Sequence, residues 1–208
     1  MAAADLVLAF TGASGVPYGL RLLEVLLGAG QTVHLCVSPA ATEVIQQEVG
    51  RTVRVDDFDP GDLLGESAGN LPLGRLHYHH FQDFRAGIAS GSFLTAGMAI
   101  CACSMGTAAA VAHGLSQNLI HRAADVHLKE RRRLVLVPRE TPLGLVQLRN
   151  LTACAEAGAV ILPAMPAFYT RPRSLQDVID FLVGRACDHL GVEHHLLRRW
   201  GEEAPERD

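Results

Sequence analysis

Short apolar runs alternate along the chain with segments whose apolar residues recur at helical spacing. The predicted strands are 6–10, 32–37, 76–81, 98–103, 134–137 and 159–162. The predicted helices are 18–27, 40–49, 108–113, 119–130, 145–157 and 174–190. This alternation is typical of a mostly parallel sheet with helices on both faces. We therefore predict an α/β fold with one Rossmann-like (flavodoxin-like) domain.

The borders of this pattern indicate a single folded unit. Ser174 and Asp177 have the spacing of a capping box at the start of the last helix. Residues 51–75 lack a regular pattern, and the chain has no internal repeat or low-complexity linker. We expect one domain over residues 1–200, followed by a polar tail over residues 201–208.

Composition narrows the class of protein. Apolar residues make up 49% of the 208 residues, which is enough for a sizeable core. Charged residues make up only 19%, which indicates either a large core or a surface partly covered by other subunits. The formal net charge of -4 argues against bulk attraction to nucleic acid, so no nucleic-acid partner is expected.

The sequence carries no targeting or metal signal. No apolar run reaches the roughly 18 residues of a membrane-spanning helix, and Met1 to Asp5 has no basic region typical of a secretory signal. We expect a cytoplasmic protein without membrane association. The five cysteines are odd in number and most lie in apolar runs, which indicates buried free thiols. The histidines lack the carboxylate partners of a metal motif, so no metal site is predicted.

Small hydroxyl and glycine residues follow several predicted strands. Thr11-Gly12-Ala13-Ser14-Gly15 follows the first strand, Ser38 the second, and Ser104-Met105-Gly106-Thr107 the central one. Because the carboxyl ends of parallel strands meet at one edge, we expect these segments to line one crevice. Glycine allows close approach of backbone, and helix N-termini attract anions, which favours a phosphate-bearing ligand. The dinucleotide GxGxxG fingerprint is absent, which favours a flavin mononucleotide over NAD.

Plain structural explanations compete with these functional ones. The first segment also fits a strand-to-helix turn, and Ser104 also fits a helix N-cap. Arg139 and Glu140 follow a strand and form either a structural ion pair or a phosphate clamp beside a proton-transferring carboxylate. The run Arg131 to Arg133 is typical of a solvated face, and Glu48 taken alone is a surface residue.

Nearly the whole chain resembles the flavin prenyltransferase family of the UbiX type. The most specific stretch runs from Leu134 to Leu143 and contains Arg139 and Glu140. Other matching stretches are Thr11 to Gly15 with Tyr18-Gly19, Ser90 to Phe93, Cys103-Ser104 with Thr107, Asn118 to Ile120, Arg122 to Val126, Leu128 to Arg132, Gly158 to Pro163, Ala167 to Tyr169 and Arg199-Trp200.

The resemblance implies a reaction and its partners. Enzymes of this family transfer a dimethylallyl group from dimethylallyl phosphate to N5 and C6 of reduced FMN, without a metal. The product, prenylated FMN, serves UbiD-type decarboxylases in ubiquinone biosynthesis or aromatic acid decarboxylation. The family forms homo-oligomers, typically dodecamers built from trimers, with active sites between subunits. Whether the donor here is a monophosphate or a diphosphate stays open, because the same cations suit both.

The resemblance also implies roles for individual residues. Glu140 would handle the phosphate proton, Ser14 with Glu48 would move protons near N5, and Trp200 would wall the prenyl pocket. The expected donor-binding residues are Lys129, Arg139, Tyr169 and Arg185. The expected FMN-binding residues are Gly12, Ala13, Ser14, Ser38, Ser104, Met105, Gly106, Thr107, Arg122 and Arg139.

Two departures and two rival functions accompany the resemblance. Ala102 replaces the proline that the family usually has before Cys103-Ser104, and the stretch around Gly144 and Arg149 differs from the common pattern of the family. Residues 50–76 match little. One rival is an FMN-dependent cysteine-type decarboxylase of the same fold. It would need a histidine after the first strand, where Val16-Pro17-Tyr18 stands instead. The other rival is an FMN storage or delivery protein, which would have no use for Lys129, Glu140, Tyr169 and Arg185 together.

Overall fold

The computed structural model describes residues 5–197 and contains one six-stranded sheet in which every strand pair is parallel. The strand order is β3-β2-β1-β4-β5-β6. The strands are β1 (Leu6–Phe10), β2 (Val33–Val37), β3 (Leu76–Tyr78), β4 (Gly97–Cys103), β5 (Arg133–Pro138) and β6 (Val160–Ile161). This is the Rossmann order of doubly wound sheets, whereas flavodoxin has the order 2-1-3-4-5. The predicted Rossmann-like α/β fold is confirmed.

Helices cover both faces of the sheet. They are α1 (Val16–Gly28), α2 (Pro39–Val49), α3 (Pro60–Leu64), α4 (Met105–Ala112), α5 (Leu119–Lys129), α6 (Leu145–Glu156) and α7 (Leu175–Leu190). Within residues 5–197, none of them combines the length and the apolar character that crossing a lipid bilayer requires. The capping box at Ser174 is confirmed, because its hydroxyl accepts from the Asp177 amide and the Asp177 carboxylate accepts from the Ser174 amide.

The core has two layers, one on each side of the sheet. Leu6, Leu8 and Phe10 of β1 pack into the layer formed with α1, α2, α3 and α7. Val7 and Ala9 point to the opposite layer, which contains α4, α5 and α6. A strand buried on both faces needs apolar residues at every position, which explains why β1 is a continuous apolar run.

The structure differs from the predicted elements at several borders. The stretch 51–75 contains α3 and two 3-10 turns. β3 ends at Tyr78 instead of Phe81, and β6 is only two residues long. Helix α4 begins at Met105 instead of Ala108 because Ser104 caps it. The predicted tail over residues 201–208 lies outside the described residues.

Candidate active site

The ends of β1 and β4 meet at the point where the strand order reverses, and Thr11 joins them. Its hydroxyl donates to the Ala102 carbonyl at 2.7 Å and accepts from the Ser104 amide at 2.8 Å. Thr11 is buried, so both of these bonds are shielded from water. Ala102, which replaces the family's usual proline, therefore contributes its carbonyl to this junction. Ligands of doubly wound folds bind in the crevice beside such a switch point.

A cleft of about 470 Å³ opens at this junction. It runs from the ends of β1 and β2 to the region between α4 and α5. Its lining residues are Thr11, Gly12, Ser38, Ala40, Ser104, Gly106, Thr107, Ala109, Ala110, His113, Leu115, Gln117 and His121. The predicted crevice is thus present, but Ala13, Ser14 and Met105 are not among its lining residues. Sequence analysis also did not anticipate its far end at His113, Gln117 and His121.

Two helix N-termini border the cleft. The Ser38 hydroxyl caps α2 by accepting from the Ala41 amide at 3.2 Å. The Ser104 hydroxyl caps α4 by accepting from the Thr107 amide at 3.3 Å, and it lies 3.0 Å from the Thr107 hydroxyl. The first amides of a helix have no intrahelical acceptor, and the helix dipole places partial positive charge there. The two ends and their hydroxyls therefore suit an anionic ligand.

The amides at the N-terminus of α1 bind a carboxylate of the same chain. The Glu48 carboxylate, at the end of α2, accepts from the Val16 amide at 2.8 Å and from the Gly15 amide at 3.0 and 3.1 Å. Gly15 has φ of 115°, a conformation that favours glycine, and α1 lacks a side-chain cap of its own. Glu48 is exposed, yet it binds the backbone directly after Ser14. The amides of Gly15 and Val16 thus have an acceptor within the chain, and the predicted FMN contacts of Gly12, Ala13 and Ser14 stay predictions.

Arg139 and Glu140 leave the end of β5 at the same edge of the sheet. Both are exposed, and the Glu140 carboxylate accepts from the Thr141 amide at 3.0 Å. No ion pair joins Arg139 to Glu140 in the described part of the chain, so the structural ion-pair alternative is not supported. Tyr169 lies in a 3-10 turn beyond β6, and its ring meets that of Phe181 edge-on at 5.9 Å.

Lys129 lies at the other edge of the sheet. It ends α5 and precedes β5, whereas Arg139 follows β5 directly. A six-residue strand spans about 20 Å, so one chain does not bring these two cations together. Lys129 is exposed and pairs with the carboxylate of Glu130. That ion pair lowers the pKa of Glu130.

Arg185 and Arg122 also have partners within the chain. Arg185 lies ten residues into α7, about 15 Å from its start, and donates to the Asp188 carboxylate at 2.7 Å. Arg122 donates to the Ala89 carbonyl at 2.9 Å and to the Asp125 carboxylate at 2.7 Å. Neither arginine lines the cleft. Their predicted ligand contacts stay predictions, as does the role of Trp200, which lies outside the described residues.

The basic run after α5 is only in part a solvated face. Arg131 and Arg133 are exposed, as predicted, although the Arg133 guanidinium also donates to the Leu190 carbonyl at 2.7 Å. Arg132 is half-buried, and its guanidinium donates to the Phe93 carbonyl at 2.7 Å, so the interpretation is wrong for Arg132. A continuous charge run does not show which of its arginines lies against backbone carbonyls.

The thiols are buried and unreactive. Burial raises the pKa of Cys36, Cys101 and Cys187 to about 12 and that of Cys154 to about 11. All five cysteines are free, as predicted. Within residues 5–197, no group of three or more histidine, cysteine or acidic side chains is arranged to hold a metal ion.

Comparison with known proteins decides the family. A family model described as Flavoprotein matches residues 1–187. The flavin prenyltransferase UbiX of Alkalihalophilus pseudofirmus is 50% identical over 192 residues, which cover 92% of this chain and 94% of that protein. The UbiX of Pseudomonas aeruginosa is 45% identical, with 95% and 94% covered. This chain belongs to the UbiX flavin prenyltransferase family.

Solved UbiX structures share the fold closely. AnUbiX in complex with FMN and dimethylallyl pyrophosphate has a TM-score of 0.84 at 38% identity, covering 97% of this chain and 100% of that one. A dodecameric FMN-dependent UbiX-like decarboxylase from Escherichia coli O157:H7 has a TM-score of 0.83 at 37% identity, covering 95% and 100%. A PPC decarboxylase is only 15% identical, with a TM-score of 0.58, and shares the fold alone.

Proposed function

We propose that this UbiX-family protein transfers a dimethylallyl group from dimethylallyl phosphate to N5 and C6 of reduced FMN. The allylic C–O bond breaks and phosphate leaves. The five-carbon unit would form bonds to flavin N5 and C6 and close a fourth ring, and the one proton lost in net from the reduced flavin would pass to the phosphate. The proposal rests on the cleft at the switch point, which is bordered by two capped helix N-termini. Relatives that match nearly the whole chain are flavin prenyltransferases.

The cleft fits a flavin mononucleotide. A single phosphate needs a positive helix end with nearby hydroxyls, and Ser38, Ser104 and Thr107 provide both. A Cβ at Gly12 would come within 2.7 Å of the Ala40 Cβ, whereas one at Gly106 would meet nothing within 4 Å. Gly12 is therefore needed for close packing of the cleft wall. Gly106 leaves room at the start of α4. When bound, the reduced flavin supplies the nucleophilic N5 and C6.

The residues after β5 and β6 suit departure of an allylic phosphate. In the described part of the chain the Arg139 guanidinium has no hydrogen-bonding or ionic partner, so its donors are available to a phosphate. Glu140 adjoins it and would hold the phosphate proton, and Tyr169 would offer a hydroxyl at the same edge. Glu48, bound beside Ser14, would move protons near N5 with that hydroxyl.

A complete donor site requires more than one copy of the chain. Lys129 and Arg185 would bind the phosphate with Arg139 and Tyr169, yet Lys129 and Arg139 lie at opposite ends of β5. A homo-oligomer, in the proposal a dodecamer, would bring them together from different subunits. Large exposed apolar side chains support such an assembly, among them Leu145, Val146, Leu148, Met165, Phe168 and Leu175.

The proposal extends to the use of the product. Prenylated FMN would pass to a UbiD-type decarboxylase, in ubiquinone biosynthesis or in aromatic acid decarboxylation. Cytoplasmic location is part of the same proposal. The rival storage function is less well supported, because a protein that only holds FMN would have no use for Lys129, Glu140, Tyr169 and Arg185 together.

Phosphate release tests the role of Glu140. With reduced FMN and dimethylallyl phosphate under anaerobic conditions, Glu140→Gln should slow phosphate release by roughly 100-fold, because a positioned proton donor is lost. FMN affinity should not change. Glu156→Gln, an exposed glutamate at the end of α6, is the matched control and should behave as wild type. Full turnover by Glu140→Gln would remove that role.

A further inference from the structure

The segment 89–95, which leads into β4, is held mainly by arginine side chains. The Ala89 carbonyl accepts from Arg122 at 2.9 Å. The carbonyls of Gly91 and Phe93 both accept from the guanidinium of Arg132. Alternate carbonyls of an otherwise irregular segment are thus fixed to α5 and to the turn that follows it.

The Arg132 guanidinium also belongs to a buried hydrogen-bond network. It also donates to the Thr95 hydroxyl at 3.4 Å, and that hydroxyl lies 2.9 Å from His127 Nε2. His127 Nδ1 donates to the Ala123 carbonyl at 2.7 Å, and burial lowers the pKa of His127. A neutral imidazole that donates from Nδ1 must accept at Nε2, so Thr95 donates to it and keeps a lone pair for Arg132. Every group in this chain of bonds has a compatible partner.

The segment held in this way lies directly against Lys129. A Cβ added to Gly91 would come within 2.9 Å of Lys129 Nζ and still closer to the Glu130 carboxylate. Ser90 and Ser92 flank Gly91, are exposed, and have their hydroxyls 2.9 Å apart. The turn therefore packs against the ion pair that Lys129 forms with Glu130.

We propose that Arg132 is a positioning residue for the donor site: it fixes the Ser90-Gly91-Ser92 turn, which in turn holds Lys129 in place to bind the phosphate of the allyl donor. This rests on the proposed function, because Lys129 acts on that donor. Arg132 does not touch the donor itself, since the bonds of its guanidinium go to the segment 91–95.

The arginine fork is what this position requires. Its two terminal nitrogens serve two carbonyls two residues apart, whereas a lysine ammonium is a single point of contact. Arg131 is the natural control. It is adjacent, carries the same charge and is exposed, and no hydrogen bond or ion pair of its side chain occurs within residues 5–197.

The test compares Arg132→Met with Arg131→Met in the full-length chain, because each loses one positive charge. For Arg132→Met we expect KM for dimethylallyl phosphate to rise roughly tenfold, while the Kd for FMN, measured by fluorescence quenching, stays within about twofold of wild type. Arg131→Met should leave both unchanged. Arg132→Lys should give an intermediate KM. Gly91→Ala should reproduce the rise in KM, because its methyl group displaces the Glu130 carboxylate and the Lys129 ammonium that pairs with it.

A double-mutant cycle with Lys129→Ala decides whether the effect passes through Lys129. If it does, Arg132→Met adds little in the Lys129→Ala background. Additive effects, or equal losses of FMN and donor binding, would overturn the inference. If Arg132→Met does not fold, the same cycle with Lys129→Ala can be measured with Arg132→Lys and with Gly91→Ala. Failure of the proposed function is separate, because the wild type itself would then release no phosphate.

Discussion

At the scale of single residues, Thr11 joins the ends of β1 and β4 beside the cleft. One buried hydroxyl bonds the end of β4 twice, through the Ala102 carbonyl and the Ser104 amide. Ser104 in turn caps α4. The orientation of an anion-binding helix end therefore depends on a residue that offers the ligand no charge.

Replacing Thr11 by valine keeps the shape of the side chain and removes both bonds. The Ser104 amide is left without its acceptor, which costs about 1–3 kcal/mol of unfolding free energy. Urea denaturation should show this loss, and FMN should bind more weakly because α4 is released. Thr42→Val on α2, which removes a local bond to the Pro39 carbonyl, is the control. Equal stability of the two variants would refute the role given to Thr11.

The residues that the local pattern alone identified lie beside strand ends, and the reason is geometric. A hydroxyl after a buried apolar strand has to lie at the sheet edge, so Ser38 and Ser104 were predictable. The bonds of Glu48, which only the family resemblance singled out, and of Arg132 were not predictable, because their partners are backbone amides and carbonyls 32 to 41 residues away. A backbone group has no sequence signature, so only the fold shows such bonds.

At the scale of elements, the central strands and long helices were predictable because their burial is two-sided or strictly periodic. β1 is buried at every position, and no other element type fits so short an apolar run before a glycine turn. Helix α3 escaped prediction because its five residues include a proline and a glycine. Its two buried leucines are too few to show a period.

A row of histidines crosses β2 and β3 and adds a pH dependence. His34 Nδ1 lies 2.8 Å from His79 Nε2, His34 Nε2 lies 3.1 Å from Asp5, and His77 stacks on His34. Burial, together with the neighbouring His34 and His77, lowers the pKa of His79 from its ordinary value of 6.5, while Asp83 opposes this shift. The folded protein therefore resists protonation of His79 more than the unfolded chain does.

This shift has a definite sign for stability. Below pH 6.5 the unfolded chain binds a proton that folded His79 does not, so stability falls as the pH drops through that value. His79→Gln should show a smaller loss of stability between pH 7 and pH 5 than wild type in urea denaturation. His195→Gln, at an exposed position, should keep the wild-type slope. An unchanged slope in His79→Gln would contradict this account.

At the scale of the whole molecule, the residues proposed to bind the donor lie at opposite ends of the strands of one sheet. Lys129 with its serine turn occupies one end, and Arg139, Glu140 and the cleft occupy the other. A single subunit would thus give its cleft to one site and its lysine to another. The predicted strand over residues 134–137 already separates Lys129 from Arg139, but the sequence does not show which subunits would meet at one site.

Mixed assemblies test this division directly. Lys129→Ala and Glu140→Gln subunits should each be strongly impaired alone. When they are co-expressed, about a quarter of the sites should regain activity, because those sites combine the native residue of each subunit. The measurement is phosphate release by the purified mixture. If both residues acted within one chain, no mixture would recover activity.

The central claim is that this protein prenylates a flavin. The most direct measurement is the mass of the flavin extracted after anaerobic incubation of the protein with reduced FMN and dimethylallyl phosphate. We predict a flavin heavier by one five-carbon prenyl unit. An unmodified flavin, with the monophosphate and with the diphosphate donor alike, would contradict the claim and leave FMN storage or cysteine-type decarboxylation as the function to test.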